Sequence, residues 1–425
     1  MLSQLADKKI KKDSHNSHNP PSQDKCNYKN RSLRNQTGRK SGGQKGHKGR
    51  TLLKIEKPDI IKELKSDYCS KCGFELEQEA QELLSTRQVI EIPPIKPLHI
   101  EYQQYGCTCT NCGNLQKEKY PKGINSAVQY GSSIIALVSY FNVFQYIPYF
   151  RTKLMFKDIF GISISEGSIQ NLLNKAAKKA TPVYDKILKE IQQSIYIGSD
   201  ETSAKVNGDK WWIWVWQNVK NTYIAASQSR GFETIKQIIG DSLPHITLGS
   251  DRWAAQLKMV TKYKQICLAH LLRDLIFLTE VETLDWSEHF EKLLSHALSL
   301  RRKAEKTNRP YRHNERNVYI LEQRLNRLLI RNIDKLKYPK THTFQKSMIK
   351  NRNHLFTFLY NLEVPPDNNA SERAIRNIKV KQKVSGQFKS GQNTFAIIRS
   401  VIDTLQKRNL NVLQNLQLIA NFTPD

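Results

Sequence analysis

Three carboxylates stand where a metal-dependent phosphoryl-transfer site would need them. Asp200 follows the apolar run Ile195–Gly198, Asp251 follows Ile246–Ser250, and Glu372 lies near the start of a late helical stretch, Asn369–Lys379. Strands ending at the same edge of one sheet bring their terminal acids together across a long stretch of chain. A helix packed over that sheet can deliver the third. Three converging carboxylates hold two divalent cations, one activating the attacking oxygen of a phosphodiester cleavage and one stabilising the leaving oxygen. Hard oxygen ligands suit Mg²⁺, with Mn²⁺ an acceptable substitute. Acids at strand ends also serve as turn and cap residues, and Glu201 beside Asp200 reads as a neighbouring surface acid. Cys267-x-x-His270, followed by Arg273, has the spacing of half a metal site. No second pair lies near it in sequence, so Cys267 reads as core and His270 more as a satisfied core histidine than as a member of the carboxylate edge.

The remaining cysteines point to a different role. Cys69-x-x-Cys72 and Cys109-x-x-Cys112 are each followed by glycine, Gly73 and Gly113. A two-residue loop lets both sulfurs of a pair reach one ion, and four thiolates complete a tetrahedral zinc shell with no open position. Such a zinc is structural. Cys107 is a fifth thiol that could compete as ligand. The separation of the pairs exceeds the usual zinc-ribbon spacing, so two strands, Gln88–Ile92 and His99–Tyr105, are expected between them.

The chain has 425 residues, with 67 Lys and Arg against 39 Asp and Glu, a formal net charge of +28. The excess is spread over residues 1–60, 301–352 and 373–408 rather than held in one tail, which favours a polyanionic partner, nucleic acid first. Lys45, Lys48 and Arg50 sit in a glycine-rich cationic arm suited to tracking phosphates, and Arg373, Arg376, Lys379 and Lys381 follow the third acid, where they would line an approach for DNA phosphate. No apolar run is long enough for a membrane span, and Leu2-Ser3-Gln4 running into charge is no secretory start. Cysteines in CxxC pairs fit a reducing, cytoplasmic setting better than a disulfide framework.

These side chains need a scaffold, and the texture of the chain supplies one. Residues 1–50 lack periodic apolar positions. Residues 51–122 hold short β-like runs between the cysteines. From residue 127 to about 194 the pattern is helical, and Phe156–Ile164, Ser165-Glu166-Gly167-Ser168 and Ile169–Ala177 read as helix, turn and capped helix. That is either a helix-turn-helix presenting Ser168, Gln170 and Asn171 to base edges or an ordinary helical bundle. From Ile195 onward strands alternate with helices. Asn207-Gly208 is a hairpin signal leading into Trp211–Val219, apolar on both faces and so an internal strand covered on both sides. Tyr223–Ser227 is a third strand, Glu233–Gly240 a helix, Ile246–Ser250 a fourth strand, Ala254–Tyr263 a helix and Gln265–Leu268 a fifth strand. Three antiparallel strands followed by alternating helix and strand describe a mixed α/β sheet. Residues 285–360 read as a basic helical insertion ended by Val364-Pro365-Pro366-Asp367.

In fixed order along the chain, these residues resemble the insertion sequence sixty-six family of bacterial DDE-class transposases. Asp13 to Ser22 is similar to its Ser/Asn/Pro-rich opening, Gly42 to Leu52 to its Gly-Gln-x-Gly-His-Lys-Gly signature, and the CxxC pairs to its zinc-binding domain. Ser199-Asp200-Glu201-Thr202, Ser250-Asp251-Arg252-Trp253, Cys267-Leu268-Ala269-His270-Leu271-Leu272-Arg273 and Asn368 to Arg376 resemble its nuclease motifs, with Lys381-Gln382-Lys383-Val384-Ser385-Gly386 after them. The resemblance implies a catalytic triad of Asp200, Asp251 and Glu372 on a ribonuclease-H-like core. It implies two Mg²⁺ ions, hydrolytic nicking at transposon ends, and attack of the freed 3′-hydroxyl on target DNA without a covalent protein–DNA intermediate. It also implies recognition of terminal inverted repeats, a homo-oligomer on DNA, accessory proteins encoded by the same element, and a location at the bacterial nucleoid. Family members usually begin with a longer helical segment than Met1–Lys12, so the resemblance implies either a truncated start or a missing dimerisation element. The alternative is a decayed copy that binds element ends without cutting; a plain ribonuclease-H-like nuclease would leave the zinc domain and basic arm without a purpose.

The expected architecture is therefore α+β and multidomain. It comprises a basic arm (1–50), a small β-rich zinc-binding domain (51–122), and a helical DNA-binding region (123–193). A ribonuclease-H-like catalytic domain (194–380) follows, with a helical insertion at about 285–362, and then a basic helical tail (381–425).

Overall fold

The computed structural model describes residues 16–17, 46–47, 49 and 52–422. Lys45, Lys48 and Arg50 lie outside the described residues. The chain divides into two compact units, Arg31–Lys96 and the remainder.

Within Arg31–Lys96 the one ladder-like contact among described residues is the Tyr68–Glu75 bridge, which closes a tight loop around Cys69 and Cys72. Gln88–Ile92 makes no ladder, contrary to expectation. Instead the Gln88 side-chain amide takes both backbone groups of Ile55, at 2.9 and 2.8 Å, leaving Val89, Ile90 and Ile92 exposed. A short apolar run becomes a strand only when a partner edge accepts its backbone groups. His99–Tyr105, in the other unit, likewise forms no strand. The strands form after it, as β1 (Gly106–Thr108) and β2 (Leu115–Lys117), an antiparallel hairpin that carries Cys109 and Cys112 in its loop.

The helical stretch follows the sequence pattern closely. α1 (Ser132–Ser139) runs into a π-turn at Tyr140–Phe144, followed by α2 (Tyr149–Phe160) and the 27-residue α3 (Glu166–Gln192). α2 stops four residues earlier than Ile164 because Gly161 adopts the left-handed conformation, φ 67°, that closes a helix C-terminus. Ser165 caps α3 by accepting from the Ser168 N–H. Gln170 is committed within this layer, accepting from the Tyr149 hydroxyl and donating to Asn174, whereas Asn171 is exposed.

The sheet has five strands: β3 (Tyr196–Val206), β4 (Asp209–Gln217), β5 (Thr222–Ser227), β6 (Ser242–Ser250) and β7 (Val260–Ile266). Their order is β5-β4-β3-β6-β7, with β3, β4 and β5 antiparallel and β6 and β7 parallel to β3. The Asn207-Gly208 turn takes φ 49° and 88°, the left-handed pair that a two-residue hairpin requires. β3 is accordingly longer than the run Ile195–Gly198 suggested, and Asp200 lies inside it rather than at its end. Trp214 and Trp216, stacked at 5.6 Å on one face, and Ile213 and Val215 on the other are all fully buried, so β4 is covered on both sides as its two apolar faces require.

Two helices expected from the sequence are shorter. α4 spans Phe232–Ile238 and α5 only Ala254–Leu257. The helix expected to run to Tyr263 yields to β7, which pairs with β6 along the sheet edge and leaves Val260, Lys262 and Tyr263 exposed, while the β-branched Val260-Thr261 pair favours the extended chain. α6 (Leu268–Glu282) then leads into the insertion: α7 (Asp285–Thr307), α8 (Arg316–Ile330), α9 (Pro339–Lys350) and α10 (Thr357–Tyr360). These helices share a core of their own, with Trp286, Phe290 and Phe344 at its centre. α11 (Asn369–Ser385) returns across β3 and β4, α12 (Gln392–Lys407) lies on β5 and α3, and α13 (Val412–Asn421) packs on α1. No helix among the described residues is long and apolar enough to cross a membrane.

Candidate active site

The register of the parallel pair sets the first two acids side by side. The β3–β6 ladder pairs Tyr196 with Thr247, Ile197 with Leu248 and Gly198 with Gly249. Continuing two residues further along each strand reaches Asp200 and Asp251. β6 has ended by then, so Asp251 stands on the loop beyond it while β3 continues toward its hairpin.

The third acid is held by the start of α11, which is fastened to the sheet by two buried polar side chains. Asn368 donates to the Ser199 carbonyl at 2.7 Å, and its own N–H points at the Cys267 sulfur at 3.2 Å. Ser371 accepts from Gln217 at 3.3 Å. Ser371 is thus an anchor within the first turn of α11. The fit is close: a Cβ on Gly198 would stand 2.4 Å from the Gln217 amide nitrogen and 2.8 Å from the Ser371 hydroxyl. Glu372 follows directly, in the first turn.

His270 links the acids. Its Nδ1 lies 3.0 Å from Asp251 and its Nε2 3.7 Å from Glu372, while Arg273, one turn further along α6, reaches Glu372 at 3.4 Å. Among the described residues, the carboxylates do not close into a tight triplet by themselves. The group whose ligand atoms all lie within 4.8 Å of one another is Asp251, Cys267 and His270. Reading His270 as more core than functional undervalued it: it is buried, and it is also the hinge of the site.

Electrostatics follow from this crowding. Burial raises the Asp200 carboxyl well above its usual range, and the charges of Asp251 and Glu201 add to the effect. The Glu201 N–H and His270 oppose it. For His270, burial alone would disfavour the imidazolium, but the hydrogen bonds to Asp251 and Cys267 outweigh it and raise its pKa to about 10. A dense group of carboxylates, short of positive charge and served by one imidazolium and one guanidinium, is a donor set that fits hard divalent cations.

Glu201 is not a surface acid. Its side chain is buried, takes the Arg230 guanidinium at 2.9 Å and accepts from Gln256 at 2.8 Å. Burial nonetheless raises its pKa against the Arg230 contribution. Arg230 is itself stacked between Trp253, 3.6 Å from its guanidinium carbon, and Trp212 at 4.7 Å. Nothing in the sequence pattern brings residues 201, 230 and 253 together, since the contact depends on the sheet order.

The basic residues after Glu372 divide by helical face. Arg373 and Arg376 are exposed. Lys379 is half-buried and donates to the Ser203 carbonyl at 3.0 Å. Lys381 turns inward, donates to Asn142 at 3.4 Å, and burial lowers its pKa to about 8. It is a core lysine and not part of an open surface.

The four candidate zinc ligands lie in two loops of the same design. The Cys69 and Cys109 carbonyls accept from the Gly73 and Gly113 N–H groups at 2.9 and 2.8 Å, and both glycines take φ 71°. The N–H groups of Lys71 and Cys72 lower the Cys69 thiol pKa, and those of Cys112 and Asn111 lower that of Cys109. Each loop therefore presents a thiolate-favouring pair, as a zinc knuckle does. Cys107 is exposed on β1.

No individually curated protein matches the chain. A family model described as "Transposase IS66 family" matches residues 127–394, from just before α1 into α12, and so encloses the sheet, the insertion and every acid of the site. The chain belongs to the IS66 family of transposases.

Proposed function

We propose that this protein is a metal-dependent DNA transposase whose reacting centre is Asp200, Asp251 and Glu372. The observation that supports it best is the delivery of three acids from β3, the end of β6 and the first turn of α11 to one imidazole, His270, inside the region that defines the family. The strand order, with the second strand antiparallel and the fourth and fifth parallel to the first, supports a ribonuclease-H-like core interrupted by the helical insertion.

Two Mg²⁺ ions, or Mn²⁺, held by these carboxylates would activate the attacking oxygen and stabilise the leaving one. The protein's own side chains do the positioning. Asn368 and Ser371 fix the start of α11, His270 and Arg273 orient Asp251 and Glu372, and the Glu201–Arg230 pair stiffens β3 beside Asp200. Arg373 and Arg376 face outward from the same helix to take the phosphates flanking the scissile bond. Water is the nucleophile for nicking at the element ends, and the freed 3′-hydroxyl is the nucleophile for joining to target DNA. The α2–α3 pair and the amino-terminal arm with Lys45, Lys48 and Arg50 would read the terminal inverted repeats, in an oligomer and with accessory proteins of the same element. Each cysteine loop would supply a pair of thiolates to a structural zinc.

The test is a labelled duplex carrying the element's own end, incubated with the protein in Mg²⁺ beside Asp251→Asn. Nicked and joined products that vanish in the variant support the proposal. Specific binding with no cut, with the element's accessory proteins also present, would overturn the enzymatic reading in favour of a binding protein, and cutting that ignores the end sequence would overturn the transposase reading.

A further inference from the structure

The residues Asp251, Cys267 and His270 form a second, chemically different ligand set that overlaps the carboxylates. In sequence Cys267-x-x-His270 is half of a metal site with no partner pair. In space the missing ligand comes from the end of β6. The Cys267 N–H bonds to the Ser250 carbonyl at 3.0 Å, which holds the β7–α6 junction against the residue before Asp251. Cys267 precedes α6 directly and His270 sits in its first turn, so both face the same way. Their sulfur and nitrogen, together with an Asp251 oxygen, all lie within 4.8 Å of one another, and the Asp251–His270 pair is already at 3.0 Å.

The donor types determine which ion the set prefers. Mg²⁺ binds through oxygen and demands octahedral geometry, so a thiol and an imidazole contribute nothing to holding it. Zn²⁺ takes Cys, His and carboxylate ligands readily, and a site containing sulfur and nitrogen selects it over hard cations. Ligands of a tetrahedral zinc stand about 3.3–3.8 Å apart, from bonds of about 2.0–2.3 Å. From a spread of at most 4.8 Å, the set lies close to that spacing.

We propose that Asp251, Cys267 and His270 form a binding site for a soft divalent cation such as Zn²⁺, and that occupation of this site excludes Mg²⁺ from the carboxylate centre because Asp251 belongs to both. The binding half stands on these residues alone. The exclusion half rests on the functional reading above.

Cd²⁺ is the probe, because its bonds to thiolate absorb in the ultraviolet. Full-length protein with its cysteine loops already loaded with zinc is titrated with Cd²⁺ in the presence of excess Mg²⁺, beside Cys267→Ser and His270→Asn. Far-ultraviolet circular dichroism verifies the fold of each. Because Cd²⁺ also exchanges into the cysteine loops of every protein, the expected result is read by difference: one equivalent more bound metal and a stronger thiolate band in the unmodified protein than in Cys267→Ser, with affinity at this extra site at least about tenfold weaker in His270→Asn, given what loss of one ligand commonly costs. Equal uptake in all three proteins overturns the site; if Cys267→Ser does not fold, an unchanged affinity in His270→Asn does so. Zn²⁺ is then added to the Mg²⁺-supported cleavage reaction, and the ratio of activity with and without Zn²⁺ is compared between proteins. Suppression confined to the unmodified protein supports exclusion, and equal suppression in Cys267→Ser overturns it. A protein that cuts nothing in Mg²⁺ alone refutes the functional reading and with it the exclusion half, while the Cd²⁺ titration still decides the site.

Discussion

Gly198→Ala is the sharpest single perturbation of the way α11 is seated. The added methyl would lie 2.4 Å from the Gln217 nitrogen, 2.8 Å from the Ser371 hydroxyl and 3.1 Å from the Asn368 side-chain oxygen. All three belong to the buried polar contact that ties β3 and β4 to the start of α11. Overfilling a packed interior costs about 1–3 kcal/mol, and disturbing the Gln217–Ser371 hydrogen bond adds about 1 kcal/mol, so the expected loss is about 2–4 kcal/mol. In a unit of this size each kcal/mol lowers the melting temperature by about 2 °C, giving a fall of about 4–8 °C. The methyl displaces the segment carrying Glu372, so cleavage in Mg²⁺ should fall more steeply than stability, by at least about tenfold at a temperature where the variant is fully folded. The assays are a thermal melt and a cleavage time course, repeated on Gly198→Ala with Gln217→Ala. Removing the closest obstructing atom should return part of the melting temperature, as coupled neighbours do. A melting temperature within about 1 °C of the parent, or a double variant showing the simple sum of its two single effects, would refute this account of the α11 seat.

Other consequences follow from the same contacts. His270→Ala should weaken Mg²⁺-supported cleavage about 10–100-fold, the usual effect of removing a group that orients metal ligands; titrating Mg²⁺ should show a raised requirement, and an unchanged Mg²⁺ dependence would mean that the imidazole orients nothing. Lys381 has a folded-state pKa lowered to about 8 from 10.5, so the unfolded chain binds more protons between those values and stability rises with pH across them. Lys381→Met should therefore gain up to about 3 kcal/mol at pH 7, less the lost bond to Asn142, and the gain should fade by about pH 10.5; denaturant melts at both pH values check it, and a difference that stays constant with pH would sink it. Stripping zinc with a chelator should make residues 51–122 protease-sensitive while the five-stranded sheet stays intact, and metal analysis of protein purified without chelator should find bound zinc.

How much of this was legible in the sequence depends on the range of the interactions involved. The Asn207-Gly208 turn, the doubly apolar β4 and the capped start of α3 could be read locally, because turn geometry, strand periodicity and capping act within a few residues. Gln88–Ile92 and His99–Tyr105 could not, because an apolar run becomes a strand only if another edge accepts its backbone, and here the Gln88 side chain takes the backbone groups of Ile55 instead. Lys381 followed three basic residues in a helix where a change of one position rotates a side chain by about a quarter turn, so composition alone could not separate the outward Arg376 from the inward Lys381.

The site shows the same division. The acids could be singled out from their types and positions, but the charges that surround them depend on β-sheet order. Asp200, Asp251, Glu201 and Glu372 place four carboxylates in a partly buried region. Without compensation such a cluster would take up protons or open the fold. The compensation is divided between two sides of the sheet edge. On one side His270 and Arg273, both from α6, face Asp251 and Glu372. On the other, Arg230 from the loop before α4 is clamped between Trp212 and Trp253 and neutralises Glu201. Burial holds the Asp200 carboxyl well above its usual range, and the charges of Asp251 and Glu201 add to the effect. On the proposed reading a divalent cation bound there would offset the charge that burial disfavours, and Asp200→Asn should stabilise the metal-free protein even as it removes a ligand.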